Sequence, residues 1–275
     1  MIFFSYLCSM KTRKVIEWLD ATFHPEYQED YDNSGFLLGD SQSEYKGALV
    51  ALDLTPAVVD EAVRVGASLI VTHHPFIFTG VKRLTDGSET GRMVMALVKN
   101  DISVYAAHTN LDNLPWGVSG ALAERLELKK CKVLSVKCQV GDEAVGAGMV
   151  GELPEPMNVE AFLTKVKTLL GLPIVRTSQF SILNSQFSIK KVALCGGSGA
   201  EFIGDALAAG ADIYLTGDLK YHDFQRTEGR MVLADIGHYE SEQFAKEIFS
   251  RAISEKFSNF ACRISDVQQG IVSYI

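Results

Sequence analysis

Four of the six histidines fall in three short clusters rich in other metal-ligand side chains: Thr72-His73-His74-Pro75, His108-Thr109-Asn110-Leu111-Asp112, and Gly237-His238-Tyr239-Glu240-Ser241-Glu242. Imidazole nitrogens with carboxylate oxygens and no thiolate suit a borderline first-row divalent ion (Zn, Mn, Fe, Co or Ni), not a structural thiolate zinc site. Two adjacent histidines at a strand end cannot share a direction while the strand stays regular, but a turn starting at Pro75 lets them diverge around a common ion. His108 and Asp112 face one cavity if a helical turn joins them, and a carboxylate has two oxygens with which to bridge two ions. If a helix begins at His238, then His238 and Glu242 lie one above the other on the same face while Glu240 points elsewhere. Starting a helix there also turns backbone amides towards the same crevice, which favours an anion such as phosphate. Each cluster alone has a plainer reading, a packed or solvated loop residue. Their joint occurrence at strand ends is what argues for a site.

The surrounding pattern supplies those strand ends. Residues 47–52 form an apolar run ending in Asp53, and 54–65 carry helical spacing with Thr55 as N-cap, Pro56 at the first helical position and Gly66 as the stop. Residues 67–72 read as a strand buried on both faces, so the segment is a βαβ unit with His73-His74 just beyond its second strand. A helix near 90–99 and a strand over 102–107 follow, the strand ending at His108. The same order recurs with a strand at 191–195, a turn at Gly196–Gly199, a helix over 201–209 and a strand over 210–216. Gly210, Ala211 and Thr216 repeat the places of Gly66, Ala67 and Thr72, and the strand from Met231 to Asp235 leads to His238 as the earlier one leads to His108. Open α/β sheets bind ligands beyond the carboxyl ends of their strands, where all three clusters stand.

The expected fold class is therefore α/β, with two α/β domains related by a weak internal repeat. The first domain is discontinuous, 1–110 plus 235–275, and the second, 111–234, is inserted into it. Within the second, 129–190 reads as an α+β segment with a helix over 159–170. Its tandem Ser-Gln-Phe-Ser-Ile, at 178–182 and 185–189, suits a hairpin turning at Leu183-Asn184, a duplicated surface loop with no chemistry of its own.

Composition narrows the function classes. A chain of 275 residues suits about two domains. The formal net charge of −8 argues against a nucleic-acid partner held by a globally basic surface. No stretch sustains 18 uncharged apolar residues, so no membrane span is expected. Residues 1–9 lack the positive start and small-residue cleavage site of a signal peptide. They read as native sequence or as an extension upstream of a start at Met10. Five cysteines, scattered and without a Cys-x-x-Cys pair, give neither a disulfide framework nor a thiolate site. They are expected as small buried residues in a cytoplasmic protein. His24 reads as a helix-end residue, and His222 as either a surface residue or a group on the substrate side. The Gly196–Gly199 turn could bring backbone amides to a phosphate, although tight-turn geometry explains it equally.

At these same positions the sequence resembles the Nif-three-like proteins, named GTP cyclohydrolase I type 2 homologs, in their compact form without a large middle insert. The matching segments are Asp32-Asn33-Ser34-Gly35, Thr72-His73-His74-Pro75 with Phe78, His108-Thr109-Asn110-Leu111-Asp112, Gly196–Gly199, Leu215-Thr216-Gly217-Asp218, and Gly237-His238 with Ser241-Glu242. The resemblance implies a dinuclear metal site in the cleft between the two domains, held by His73, His74, Asp112, His238 and Glu242, with His108 and His222 beside the ligands. It also implies a ring-shaped homohexamer enclosing the sites. Two functions follow as expectations. One is a metal-dependent hydrolase acting on GTP, another nucleotide or a phosphate-bearing small molecule. The alternative is a non-catalytic metal-binding protein acting through protein contacts or metal delivery.

Overall fold

A computed structural model describes residues 10–179, 187–267, 270–273 and 275, and the chain divides into two compact units, Met1–Asn110 with Lys246–Gln269 and Leu111–Ala245 with Gly270–Ile275. The expected extension 1–9 and the hairpin turn at 183–184 lie outside the described residues. The expected return to the first domain at 235 falls later, at Lys246. The segment before it stays in the second unit, where the Ile236 amide donates to the Thr216 carbonyl and the Ser241 hydroxyl accepts the Gly197 amide.

The first unit is built on a five-stranded sheet in the order β1-β4-β3-β2-β11: β1 (Gly35–Leu38), β2 (Gly47–Ala51), β3 (Leu69–Thr72), β4 (Ser103–Ala106) and β11 (Ala261–Ile264). Strands β11, β2, β3 and β4 run parallel, and β1 lies antiparallel on β4. The uniformly apolar β2 and β3 are buried at every position because helices cover both faces. Helix α1 (Thr12–Phe23) buries Val15, Ile16, Leu19 and Phe23, the spacing of one helical face. Phe23 meets Phe249 of α9 (Ala245–Lys256) edge to face at 5.2 Å. On another side, α2 (Pro56–Val65) and α3 (Glu89–Lys99) send Val58, Val59, Ala62, Met93 and Leu97 against Leu49, Ile70 and Val104. Burying one such side chain contributes roughly 1.5–3 kcal/mol. Helix α2 starts where the sequence places it: the Thr55 hydroxyl accepts the Val58 amide at 3.3 Å, and Gly66 closes the helix at φ 71°.

The second unit carries a six-stranded sheet in the order β5-β6-β8-β9-β10-β7: β5 (Lys129–Val140), β6 (Glu143–Asn158), β7 (Arg176–Thr177), β8 (Ser188–Ser198), β9 (Ile213–Gly217) and β10 (Val232–Asp235). Strands β8, β9 and β10 are parallel, whereas β5, β6 and β7 attach antiparallel. Helix α6 (Val159–Leu170) follows β6, and α4 (Thr109–Asp112) and α5 (Val118–Arg125) precede β5. The helix expected over 201–209 starts as a 3-10 turn, Ala200–Phe202, before α7 (Ile203–Ala208), since neither Gly199 nor Phe202 offers a side-chain cap. Cys195 is buried as expected. Cys131 and Cys138 are exposed because β5 is an edge strand.

Candidate metal centre

In the first unit, β3 ends at Thr72 and the backbone bends at once. The amides of His73 and His74 both donate to the Leu52 carbonyl, at 3.2 and 3.0 Å, while the Thr72 hydroxyl donates to the His74 carbonyl at 2.8 Å. This pins two consecutive imidazoles at the carboxyl end of the sheet. Strand β4 ends at Ala106 and delivers His108 beside them. Ring centroids lie 5.0 Å apart for His73 and His74, 5.3 Å for His73 and His108, and 5.4 Å for His74 and His108. Each ring offers one nitrogen to a group whose atoms all lie within 4.8 Å of one another.

The Nδ1 contacts fix which nitrogen each ring can offer. His73 Nδ1 lies 2.8 Å from the Ala107 carbonyl, His74 Nδ1 2.7 Å from Asp53 Oδ1, and His108 Nδ1 2.8 Å from Asp32 Oδ1. Carbonyls and carboxylates only accept, so Nδ1 carries the hydrogen in all three rings, and in a neutral ring the lone pair is on Nε2. Metal-ligating histidines are commonly oriented in this way. Burial pushes the Asp32 carboxyl upward, but hydrogen bonds from His108, Thr109 and the Asn33 amide outweigh it and hold the group below the ordinary carboxylate range.

The second unit presents a donor set of its own. Helix α8 (His238–Glu242) starts after Gly237 and stacks His238 Nε2 on Glu242 Oε2 at 3.1 Å, the i, i+4 pairing expected. Two atoms bound to one first-row ion at about 2.1 Å stand roughly that far apart. His238 Nδ1 lies 2.7 Å from Asp218 Oδ2, the same support seen for the other rings. An Asp112 carboxylate oxygen lies within 4.8 Å of one from Glu242, and Glu242 is 2% exposed. Gly197, at φ 63°, makes room for that carboxylate, since a Cβ there would stand 2.0 Å from Glu242 Oε1. Burial pushes the Cys195 thiol up, and the Asp112 and Glu242 carboxylates push the same way.

Other candidates fall elsewhere. The Gly196 and Gly197 amides donate to the hydroxyls of Ser119 and Ser241 at 3.2 and 2.9 Å, so they are already engaged and do not cradle a phosphate. Helix α8 spans five residues, too short to gather an anion at its start. His222 is exposed on a 3-10 turn beside Tyr221, and His24 caps α1 with Nδ1 on Glu26 at 2.9 Å. Sequence reasoning gave no role to Asp53 or to Asp218, the carboxylates behind His74 and His238. The available signal was an acidic residue within two positions of the end of each of β2 and β9. The residues present therefore form His and carboxylate clusters able to hold a divalent metal ion.

The chain is similar to known proteins along most of its length. A Clostridium perfringens protein named GTP cyclohydrolase 1 type 2 homolog is 38% identical over 236 residues, 85% of this chain and 87% of that one. Among solved structures, the Staphylococcus aureus hypothetical protein SA1388 superposes with a TM-score of 0.88 at 30% identity, covering 97% of this chain and 100% of that chain. Reduced HcgD from Methanocaldococcus jannaschii gives 0.77 at 28% identity, over 94% and 98%. Residues 10–270 match the model of one family over most of the chain, and the protein belongs to it: the Duf34/NIF3 (NGG1p interacting factor 3) family.

Proposed function

We propose that this protein is a dinuclear-metal hydrolase acting on a nucleotide, with His73, His74, Asp112, His238 and Glu242 as ligands of two divalent ions and His108 beside them. The observation that carries this reading is the shared orientation of four imidazoles, each tied at Nδ1 to an oxygen acceptor and turning Nε2 to the donor group. Two such ions lower the pKa of the water they hold and polarise the bond under attack. The chain's own residues supply the rest. Asp53, Asp32 and Asp218 keep the rings in one tautomer and at one angle, and the buried Glu242 carboxylate is kept from bulk water. GTP as substrate is supported by the relatives' name alone.

The internal repeat is a second part of the proposal. In the first unit the Ala67 amide donates to Ala62 O behind Gly66, Ser68 donates to Gly47 O, and Ala107 to Thr72 O. In the second, Ala211 donates to Ala206 O behind Gly210, Asp212 to Lys191 O, and Ile236 to Thr216 O. These matching bonds support two copies of one strand-helix-strand design. A ring-shaped homohexamer and a cytoplasmic location are retained as proposals on the resemblance.

The test is reconstitution with Mn or Zn and challenge with GTP and a nucleotide panel. Turnover lost in both Asp112→Ala and Glu242→Ala supports the hydrolase; turnover unchanged in both sinks it. Bound metal with no turnover on any nucleotide selects the non-catalytic metal-binding alternative.

A further inference from the structure

Two large aromatic rings stand out in water beside the first unit's imidazoles. Tyr31 is 62% exposed and Phe78 45%, although an exposed apolar patch is costly unless something covers it. The Tyr31 and Phe78 ring centroids are 6.3 Å apart, tilted at 51°, and Phe78 stands 6.1 Å from His108, nearly perpendicular to it. Polar ties join the segments that carry these rings to the imidazoles. Tyr31 precedes Asp32, whose carboxylate fixes His108 Nδ1 at 2.8 Å. Asn33 donates from Nδ2 to the Ile77 carbonyl at 2.6 Å, clamping the segment that carries Phe78 to the one that carries Tyr31. Ser34 Oγ donates to Asp32 Oδ2 at 3.1 Å and accepts the His108 amide at 3.2 Å. One stretch, 31–34, thus presents an aromatic ring, orients a candidate metal ligand and anchors the second ring.

We propose that Tyr31 and Phe78 form a stacking subsite for the planar nitrogen heteroaromatic ring of the substrate, a nucleobase or a ring of that class. This rests on the reading of the neighbouring imidazoles as a metal site, and it adds what that site lacks, a group that recognises the ring instead of the phosphates. Aromatic pairs prefer offset or edge-to-face geometry at 4.5–7 Å, and both rings keep exposed surface against which a third can be placed. An aliphatic partner would gain burial here but no stacking, and stacking tolerates different bases because every base has a π-face.

The experiment measures equilibrium binding of GTP, inorganic triphosphate and guanosine to the wild-type protein and to Phe78→Leu, Tyr31→Leu and Phe78→Trp. Guanosine and GTP affinity should fall about tenfold or more in each leucine variant, as for removal of a stacking ring. Phe78→Trp should retain it, and triphosphate affinity and metal content by elemental analysis should not move. Guanosine is also measured on chelator-treated protein. A wild-type chain that holds no metal overturns the proposed centre, while the guanosine series still judges the subsite. Unchanged guanosine and GTP affinity in both leucine variants overturns the subsite, whatever the metal content shows.

Discussion

At the scale of single residues, the carboxylates behind the imidazoles decide more than their distance from the ions suggests. Asp32, Asp53 and Asp218 each accept from an Nδ1, so removing the charge leaves the ring in place but frees its tautomer. Asp32→Asn, Asp53→Asn and Asp218→Asn are each expected to weaken metal binding by about 10- to 100-fold, read by titration against a competing chelator. Asp32 carries a pH signature as well. Its folded carboxyl lies below the unfolded value of about 3.9, so the unfolded chain takes up the proton first. The stability it contributes is fully present at neutral pH and drains away as pH falls below that value towards the folded one. Metal-free wild-type protein should therefore lose stability between about pH 4 and 2 more steeply than Asp32→Asn, in denaturant titrations at each pH. The grouping of His73, His74 and His108 was legible because their residue type and place at strand ends already pointed to one cluster. Asp53 and Asp218 were not, because neither has a ligand-type neighbour in sequence; each gains its role only when the sheet brings it against a ring from another strand or helix.

At the scale of elements, local chemistry carried the reading furthest where the cap and the stop were both written in the chain. Helix α2 opens on the Thr55 hydroxyl and closes on Gly66, and α6 opens on Asn158 and closes on Gly171. Thr55→Ala removes one cap and should cost about 1 kcal/mol, measured by urea unfolding at unchanged slope. The reading was coarser at 201–209, where no cap marks the start and a 3-10 turn intervenes, and for the exposed cysteines of β5, because a sequence does not say which strand ends at the edge. The Gly196–Gly199 turn illustrates how an element changes meaning once folded. Its flexibility admits the Glu242 carboxylate, and its first two amides go to serine hydroxyls. Gly197→Ala would place a non-glycine residue at φ 63° and a methyl against Glu242 Oε1. The left-handed backbone alone costs about 1–2 kcal/mol. Displacement of the carboxylate should lower metal stoichiometry too, so loss of stability with metal content unchanged would contradict the assignment of Glu242 as a ligand.

At the scale of the whole molecule, the donor atoms are divided between the two units: three imidazoles belong to one, and His238, Asp112 and Glu242 to the other. Two compact units stand where two domains were expected, whereas the return point was not legible. It depends on the bonds of Ile236 to Thr216 and of Gly197 to Ser241, contacts that periodicity does not reveal. The proposed centre has a global consequence. A ligand that binds only the folded chain stabilises it by an amount set by its concentration relative to Kd, about 4 kcal/mol at a thousandfold excess. For units of this size that corresponds to on the order of 10 °C in melting temperature. Chelation of the metal-loaded protein should therefore lower the melting temperature by roughly this amount, followed by calorimetry. If ions take ligands from both units, as proposed, His74→Ala in the first and His238→Ala in the second should each abolish most of that shift and reduce the metal bound. If only one of the two substitutions matters, the ions belong to that unit alone and the shared dinuclear centre is wrong. The two substitutions probe different supports, because each histidine is tied through Nδ1 to a carboxylate of its own unit, His74 to Asp53 and His238 to Asp218.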